Sequence, residues 1–293
     1  MTPIDGVNEM STLENELTEL GALARAFFTR EVCPRREEFV AAGAPDRALY
    51  RRAGELGLLG MSIPEQYGGG GGTFAHEAVL FTEQVRAGES ALQLGVHAGI
   101  VPHYLLAYGT EEQKQRWLPK LCSGDWVGAI AMTEPGTGSD LQAITTRAVR
   151  DGEDYLLSGA KTFISNGLLC DLVIVAAKTD ATLGASGVSL IVAEVGGNPA
   201  GFGRGRPLKK IGQKGQDTGE LFFDGLRVPA ANLLGPAEGQ GFVQLAQQLP
   251  QERLICAVAA AAMIETAVEQ TLAYVRQREA FGKPLFAQQH VRF

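Results

Sequence analysis

Two stretches of this sequence hold residue types that could do chemistry. The first is Ala131–Ala143, AMTEPGTGSDLQA. It predicts a strand that ends at Met132 and opens into a glycine- and hydroxyl-rich turn. Such a turn presents backbone N–H groups and the Thr133, Thr137 and Ser139 hydroxyls to one side, donors suited to a phosphate or to the edge of a planar cofactor. A plain interdomain loop capped by Asp140 fits the same residues, and both readings stand at this level. The second stretch is Leu249–Leu254, LPQERL. Pro250 suits a first helical turn, which predicts Glu252 and Arg253 in the opening turn of a long apolar helix. An acid there complements the helix dipole, a structural role that competes with any chemical one.

Other motifs carry less. Gly201–Gly205, GFGRG, has the glycines of a dinucleotide loop but not the required register, and Arg206, Pro207 and Lys209 follow where a helix is needed. No P-loop pattern occurs. Arg204, Arg206, Lys209, Lys210 and Lys214 read as a solvated loop face. Cys33, Cys122, Cys170 and Cys256 are scattered singly, and the four histidines form no HExxH. Neither a metal site nor a disulfide scaffold is expected, and a reducing compartment fits.

The elements that must position these residues fall into three parts, 1–122, 123–235 and 236–293. The first reads as helical. Ser11 and Glu14 have capping-box spacing ahead of an amphipathic stretch that Pro34 stops after Cys33. Asp46–Leu56 and Phe74–Val85 carry two further patterns. Glu89–Tyr108 carries a fourth, with Pro102 as a kink or break. Thr110 and Gln113 repeat the capping spacing before Trp117, and Gly69–Gly72 must be a loop. In the second part, Leu172–Ala177 and Ser189–Ala193 are short β-branched runs, and Asp154–Leu157, Lys161–Ser165 and Glu220–Phe223 read as further strands. No helical pattern separates them, which predicts an antiparallel sheet or small barrel. In the third, apolar positions recur at helical spacing from Gln251 to Phe281. Ala257 and Ala259–Ala262 would let a neighbouring helix approach. The sequence stops at Val291–Arg292–Phe293 with no helix-ending signal, which reads as an incomplete third part.

Composition narrows the function. The 293 residues are 45% hydrophobic and 20% charged, a globular composition. Twenty-six Lys and Arg against 33 Asp and Glu give a net charge of −7, a poor match to nucleic acid or anionic membrane. The longest apolar run, Leu254–Ile264, is half the ~20 residues of a membrane span and ends at Glu265. The N-terminus, MTPIDGVNEM, shows no basic start and no apolar run; a soluble, cytoplasmic protein without a targeting signal is expected.

TEPGTGSD resembles a signature of the acyl-CoA dehydrogenases, which are flavoproteins. Five more segments match in the family's order: PEQYGGGG (Pro64–Gly71), YGTEEQKQRWLPKLCSGDW (Tyr108–Trp126), LSGAKTFISNG (Leu157–Gly167), KGQDTGELFFDGLRVPAANLLG (Lys214–Gly235) and REAFGKPLFAQQ (Arg278–Gln289). The resemblance covers nearly the whole chain. It implies an α+β multidomain fold: an N-terminal helical bundle, a central antiparallel β-barrel and a C-terminal helical bundle, here truncated. It also implies FAD, an acyl-CoA thioester substrate, an electron-transfer flavoprotein as partner, and a homotetramer or homodimer. By the same resemblance Ile130, Met132 and Thr133 form the wall on the flavin ring, with Thr133 hydrogen-bonding it. Ser139 matches the residue at the CoA side. Phe163 falls where relatives often carry Trp, so the aromatic face is kept and the indole N–H lost. Ile164 adjoins it, and Ser165 matches the hydroxyl near flavin N5. Arg278, Phe281 and Gln289 match residues that hold the FAD of a neighbouring subunit. Taken alone, Phe163 would read as core and Arg278 as a solvated helix face.

The implied reaction takes a proton from Cα while a hydride leaves Cβ, so a carboxylate must face Cα from the side opposite the flavin. In many relatives that Glu lies in a later helix; in the long-chain and isovaleryl branches it lies in a segment like LPQERL. The resemblance is to the long-chain branch and points to Glu252 as base, with Pro250, Gln251 and Arg253 beside the substrate. It also implies the Glu252 backbone N–H as one donor to the thioester oxygen. Two alternatives stay open: an acyl-CoA oxidase-like enzyme that uses oxygen, and a non-catalytic acyl-CoA-binding or assembly protein.

Overall fold

The computed structural model describes residues 5–293, with side chains described from Thr12 onward. The helical first part begins with Asp5–Phe27 (α1), a π turn at Phe28–Val32, a 3₁₀ turn at Cys33–Arg35 and Arg36–Ala42 (α2). Two expectations change here. Helix α1 already runs through Ser11, whose side chain lies outside the described residues, so Ser11 does not start it. Pro34 does not end the helical course; it sits in the first turn of the 3₁₀ segment, where no N–H is required of it. Ala48–Glu55 (α3), Phe74–Arg86 (α4), Leu94–His97 (α5), Val101–Tyr108 (α6) and Glu111–Cys122 (α7) follow. Pro102 takes the first turn of α6 and separates it from α5. At α7 the predicted capping box is present: Gln113 N–H donates to Thr110 Oγ1 at 3.2 Å, and Thr110 N–H donates to Gln113 Oε1 at 3.0 Å. The Gln113 amide also donates to the carbonyls of Ala231 and Leu233, tying the helical part to the middle one.

The middle part holds Gly128–Ala131 (β1), Arg147–Asp151 (β2), Asp154–Ser165 (β3), Leu172–Lys178 (β4), Val188–Glu194 (β5), Phe202–Arg204 (β6) and Thr218–Pro229 (β7). The hydrogen-bonded path is β1-β4-β2-β3-β7-β6, with β5 on the other edge of β4. Most pairings are antiparallel, as expected. The exceptions are β1 on β4 and the contact Arg147↔Lys178, which are parallel and curl the sheet into a half-barrel. Every residue of β4 is buried, which explains an unbroken β-branched run where a half-exposed strand would alternate. The two predicted strands at 154–157 and 161–165 are one strand. Bulges after Leu157 and Lys161 bend it, and Gly159, at φ +149°, leaves space that a Cβ would take from Thr146 Oγ1. Phe202–Arg204 pairs with β7 as an edge strand. The Arg204 guanidinium donates to the carbonyls of Cys170 and Val195, so this part of the basic cluster is structural.

The third part is dominated by Gly241–Gln277 (α8), followed by the short hairpin Glu279–Ala280 (β8) and Lys283–Pro284 (β9) and by Gln289–Arg292 (α9). Helix α8 lies along α4, with Ile255 in the core that holds Phe81 and Leu94, and Arg86 reaches Glu265 at 3.1 Å. Its length and composition alone would let it cross a membrane, but this packing reads it as a domain helix. The expected start at Pro250 is corrected. Pro250 lies well inside α8. It is exposed, as is Ala246, whose carbonyl loses its helical donor there. The helix also ends earlier than expected, at Gln277.

Candidate active site

The site grows from the junction of α6, α8, β1 and β3. Two glycines let the helices close in. A Cβ on Gly128 would lie 2.9 Å from Val101 Cγ1, so its absence seats α6 on β1; a Cβ on Gly99 would lie 2.7 Å from Ile255 Cδ1, so its absence seats α8 beside α5 and α6. His97 fixes the same junction. Its Nδ1 accepts from Gly128 N–H at 3.1 Å, and its Nε2–H donates to the Leu121 carbonyl at 3.1 Å. Burial keeps it neutral by lowering its pKa to about 4.

Beyond β1 the chain enters the TEPGTGSD turn. Glu134 and Thr137 exchange backbone hydrogen bonds, and the turn is anchored from below by a buried ion pair. Lys161 is 0% exposed; its ammonium donates to the Met132 carbonyl at 2.8 Å and to Glu134 Oε1 at 2.9 Å. Glu134 also accepts from Thr145 N–H, Thr145 Oγ1 and Thr146 N–H. Burial works against its ionised form, but the bonds from Thr146, Thr145 and Lys161 outweigh it and hold the carboxyl at about 2. Thr162 N–H donates to the Thr133 carbonyl at 3.0 Å. The wall Met132–Thr133 is therefore clamped to β3 by main chain and side chain together.

The bulge after Lys161 reverses the alternation of β3. Ile164 turns into the core at 3% exposure, and Phe163 turns out at 68%. Phe163 holds φ +60°, a left-handed conformation that costs a non-glycine residue about 1–3 kcal/mol. Next to it, Asn166 accepts from the buried Tyr50 hydroxyl at 2.8 Å and donates to the Gly128 carbonyl at 3.1 Å. Among the described residues, the hydroxyls of Thr133, Ser139 and Ser165 make no hydrogen bond to the protein. An outward aromatic ring on a strained, braced strand, with Ser165 two residues on and Thr133 on the wall bonded to the same strand, suits a planar cofactor with polar edges.

Glu252 lies inside α8, half-buried, not in its first turn. The helix-dipole role expected for it disappears with that correction. Its backbone N–H is committed to the Gln248 carbonyl by helix geometry, so it is not free to polarise a carbonyl oxygen. Its side chain instead accepts from Tyr104 Oη at 2.7 Å. Burial pushes the Glu252 carboxyl above its usual range, and the Tyr104 hydrogen bond opposes this. Gln251 donates to the Gly99 carbonyl at 3.0 Å, whereas Pro250 and Arg253 are exposed. Tyr104 shares one apolar cluster with Ile130, with Met132 packed against it, so the carboxylate and the TEPGTGSD wall border a common core. A half-buried carboxylate of raised proton affinity is suited to general base chemistry.

Two residues went unnoticed in the sequence. Tyr104 reads as core within an apolar helix, and its partner lies 148 positions away; no local signal marks it. Lys161 did carry a signal, because it falls in phase with the inward Tyr155 and Leu157. The structure does not bring Arg278, Phe281 and Gln289 to this site. All three are exposed, Phe281 at 95%. Along α8, Arg278 lies about 39 Å from Glu252 at 1.5 Å per residue.

The N-terminal, middle and C-terminal domain models of acyl-CoA dehydrogenase match residues 14–125, 129–226 and 239–293. The long-chain specific acyl-CoA dehydrogenase of Rattus norvegicus is 48% identical over 261 residues, covering 88% of this chain and 60% of that protein. The chain thus spans about three fifths of the length of such curated relatives. Among solved structures, acyl-CoA dehydrogenase from Geobacillus kaustophilus superposes with TM-score 0.91 at 45% identity, over 95% of this chain and 73% of that one. An acyl-CoA dehydrogenase complexed with FAD, from Bacillus anthracis, gives 0.87 at 33% identity, over 94% and 47%. On these matches, which together take in most of its length, this chain belongs to the acyl-CoA dehydrogenase family.

Proposed function

We propose that this protein dehydrogenates acyl-CoA thioesters to trans-2-enoyl-CoA, as an FAD-dependent enzyme of the fatty-acid β-oxidation type. The observation that carries the reading is the Glu252 carboxylate, half-buried beside Tyr104 on the apolar cluster that also supports Ile130 and Met132. Thr133, Phe163 and Ser165 would hold the flavin ring, with Ile130, Met132 and Ile164 behind it and Ser139 toward the CoA side. FAD, when bound, supplies the acceptor for the hydride that leaves Cβ. Glu252 takes the proton from Cα; partial burial raises its proton affinity toward that task while Tyr104 keeps its charged form accessible. The Lys161–Glu134 clamp, buried beneath the wall, fixes Met132 and Thr133 in place before substrate arrives.

The relatives suggest further partners. An electron-transfer flavoprotein is proposed to reoxidise the cofactor. Arg278, Phe281 and Gln289, remote from Glu252 and exposed, are proposed to reach the flavin of a second copy in a homo-oligomer. Cys33, Cys122, Cys170 and Cys256 are all free thiols, in keeping with a reducing compartment such as the cytoplasm.

The test is Glu252→Gln. The variant is expected to keep FAD and acyl-CoA binding and to lose anaerobic flavin bleaching by several orders of magnitude. Bleaching at the wild-type rate would overturn the assignment. Slow aerobic recovery of the wild-type colour is expected of a dehydrogenase; rapid recovery with oxygen consumption would point to an oxidase.

A further inference from the structure

We propose that Tyr104 is a positioning residue for Glu252: its hydroxyl donates to Oε1 and holds the carboxylate ionised and oriented between α6 and α8. This rests on the reading of Glu252 as base. The donor itself cannot wander. Tyr104 is 1% exposed and packs in one cluster with Val101, Leu105, Ile130 and Leu245. Its ring lies 6.2 Å from that of Tyr108, whose own hydroxyl is engaged with Gln247 Oε1 at 2.9 Å and the Gln244 carbonyl at 3.2 Å. On the other side, Gln251 pins this turn of α8 to the Gly99 carbonyl.

Among the described residues no cation shares the task, and Tyr104 is the one hydrogen-bond partner of Glu252. From α6, the other ionisable groups are Tyr108 and His103, and His103 is paired with Glu77 on α4. Elsewhere on α4, His76 lies against Glu16 at 3.3 Å, Glu83 and Arg86 meet each other, and Arg86 meets Glu265, about 20 Å further along α8 at 1.5 Å per residue. From α5, His97 is engaged with Leu121 and Gly128. From β5, Glu194 is held by Arg116 and Trp117, and the turn Gly184–Gly187 carries no ionisable side chain. Arg253, on α8 itself, is exposed. With burial penalising the charge and no cation to offset it, a neutral hydroxyl is what favours the ionised form.

The perturbation is Tyr104→Phe, which keeps the ring and removes the donor. Two measurements are made. The Glu252 carboxyl is titrated by ¹³C NMR in the unloaded protein, assigned by its loss in Glu252→Gln. The pH profiles of kcat and KM are recorded on the FAD-loaded enzyme. The midpoint is expected to rise by about one pH unit, the worth of one hydrogen bond to a charged acceptor. Turnover then falls about tenfold below the wild-type midpoint and converges at alkaline pH, with KM little changed. Difluorotyrosine at position 104 is a stronger donor and keeps the hydroxyl; it is expected to move the midpoint down. A midpoint unmoved by both changes overturns the proposal. Wild-type turnover in Glu252→Gln overturns the base reading instead, and the two failures are distinct because the titration needs no turnover.

Discussion

Replacing Lys161 with Met tests whether the wall beside Phe163 is held by the buried ion pair beneath it. Met fills much of the same volume without the charge. What remains is Glu134, still accepting from Thr145 N–H at 2.7 Å, Thr145 Oγ1 at 2.7 Å and Thr146 N–H at 2.9 Å, and a Met132 carbonyl without its 2.8 Å donor. Removing one member of a buried pair costs roughly 3–5 kcal/mol; the three surviving bonds place this case near the lower end. The acid–base side points in the same direction: despite burial, the carboxyl is held at about 2 against an ordinary 4.5, with Thr146 and Thr145 supplying more of that depression than Lys161 does, and it contributes to folding in its ionised form. Because the folded value is depressed, that contribution is present above pH 4.5 and is lost as pH falls toward 2. Lys161→Met should therefore lower the urea unfolding free energy by about 3 kcal/mol at pH 7 and move the acid transition to higher pH. Adding Glu134→Gln removes the stranded charge, and the double variant should recover about half of the loss. Flavin retention on dilution should fall in the single variant, since Thr133 directly follows Met132, whose carbonyl Lys161 holds. A loss under about 1 kcal/mol with an unchanged acid transition would refute the electrostatic account. Full flavin retention despite the expected loss would refute the clamp.

Two other outcomes follow from the same coordinates. Arg278→Ala should keep wild-type stability yet release flavin on dilution, read by absorbance after gel filtration; flavin held at wild-type affinity would count against a role for this residue. Asp217 is 0% exposed, and burial pushes its carboxyl up to about 6 despite N–H donors from Leu168 and Leu169. With the folded value raised, stability is greatest below the ordinary 3.8 and is lost as pH climbs through about 6, on the order of 3 kcal/mol in all. Asp217→Asn should flatten the stability curve in that window, and an equal slope in both proteins would show that other groups set it.

How much of this was legible depends on whether the controlling interaction was local. Thr110 and Gln113 are three residues apart, and their reciprocal bonds appear as their spacing predicts. The break at Pro102 and the buried run of β4 are likewise properties of contiguous residues. Pro250 shows the limit. Proline is common in a first turn and costly in an interior, so a helix beginning there was the economical reading. Yet α8 runs straight past it, because Leu245 and Gln244 are already anchored upstream: Gln244 donates to the Leu234 carbonyl at 2.9 Å, and Leu245 is buried. Tertiary contacts on that turn outweigh one missing hydrogen bond at an exposed face. The consequence reaches the chemistry. Moving Glu252 from a helix end to a helix interior removes the dipole that would have stabilised its charge and occupies the N–H that would have polarised a carbonyl. Its charged form then depends on a donor from elsewhere in the chain, and α6 supplies one in Tyr104. That dependence explains why the motif LPQERL could name the residue but not its environment: the group that tunes the carboxylate lies in another domain, brought within 2.7 Å by glycines at 99 and 128 whose only signal is the side chain they lack.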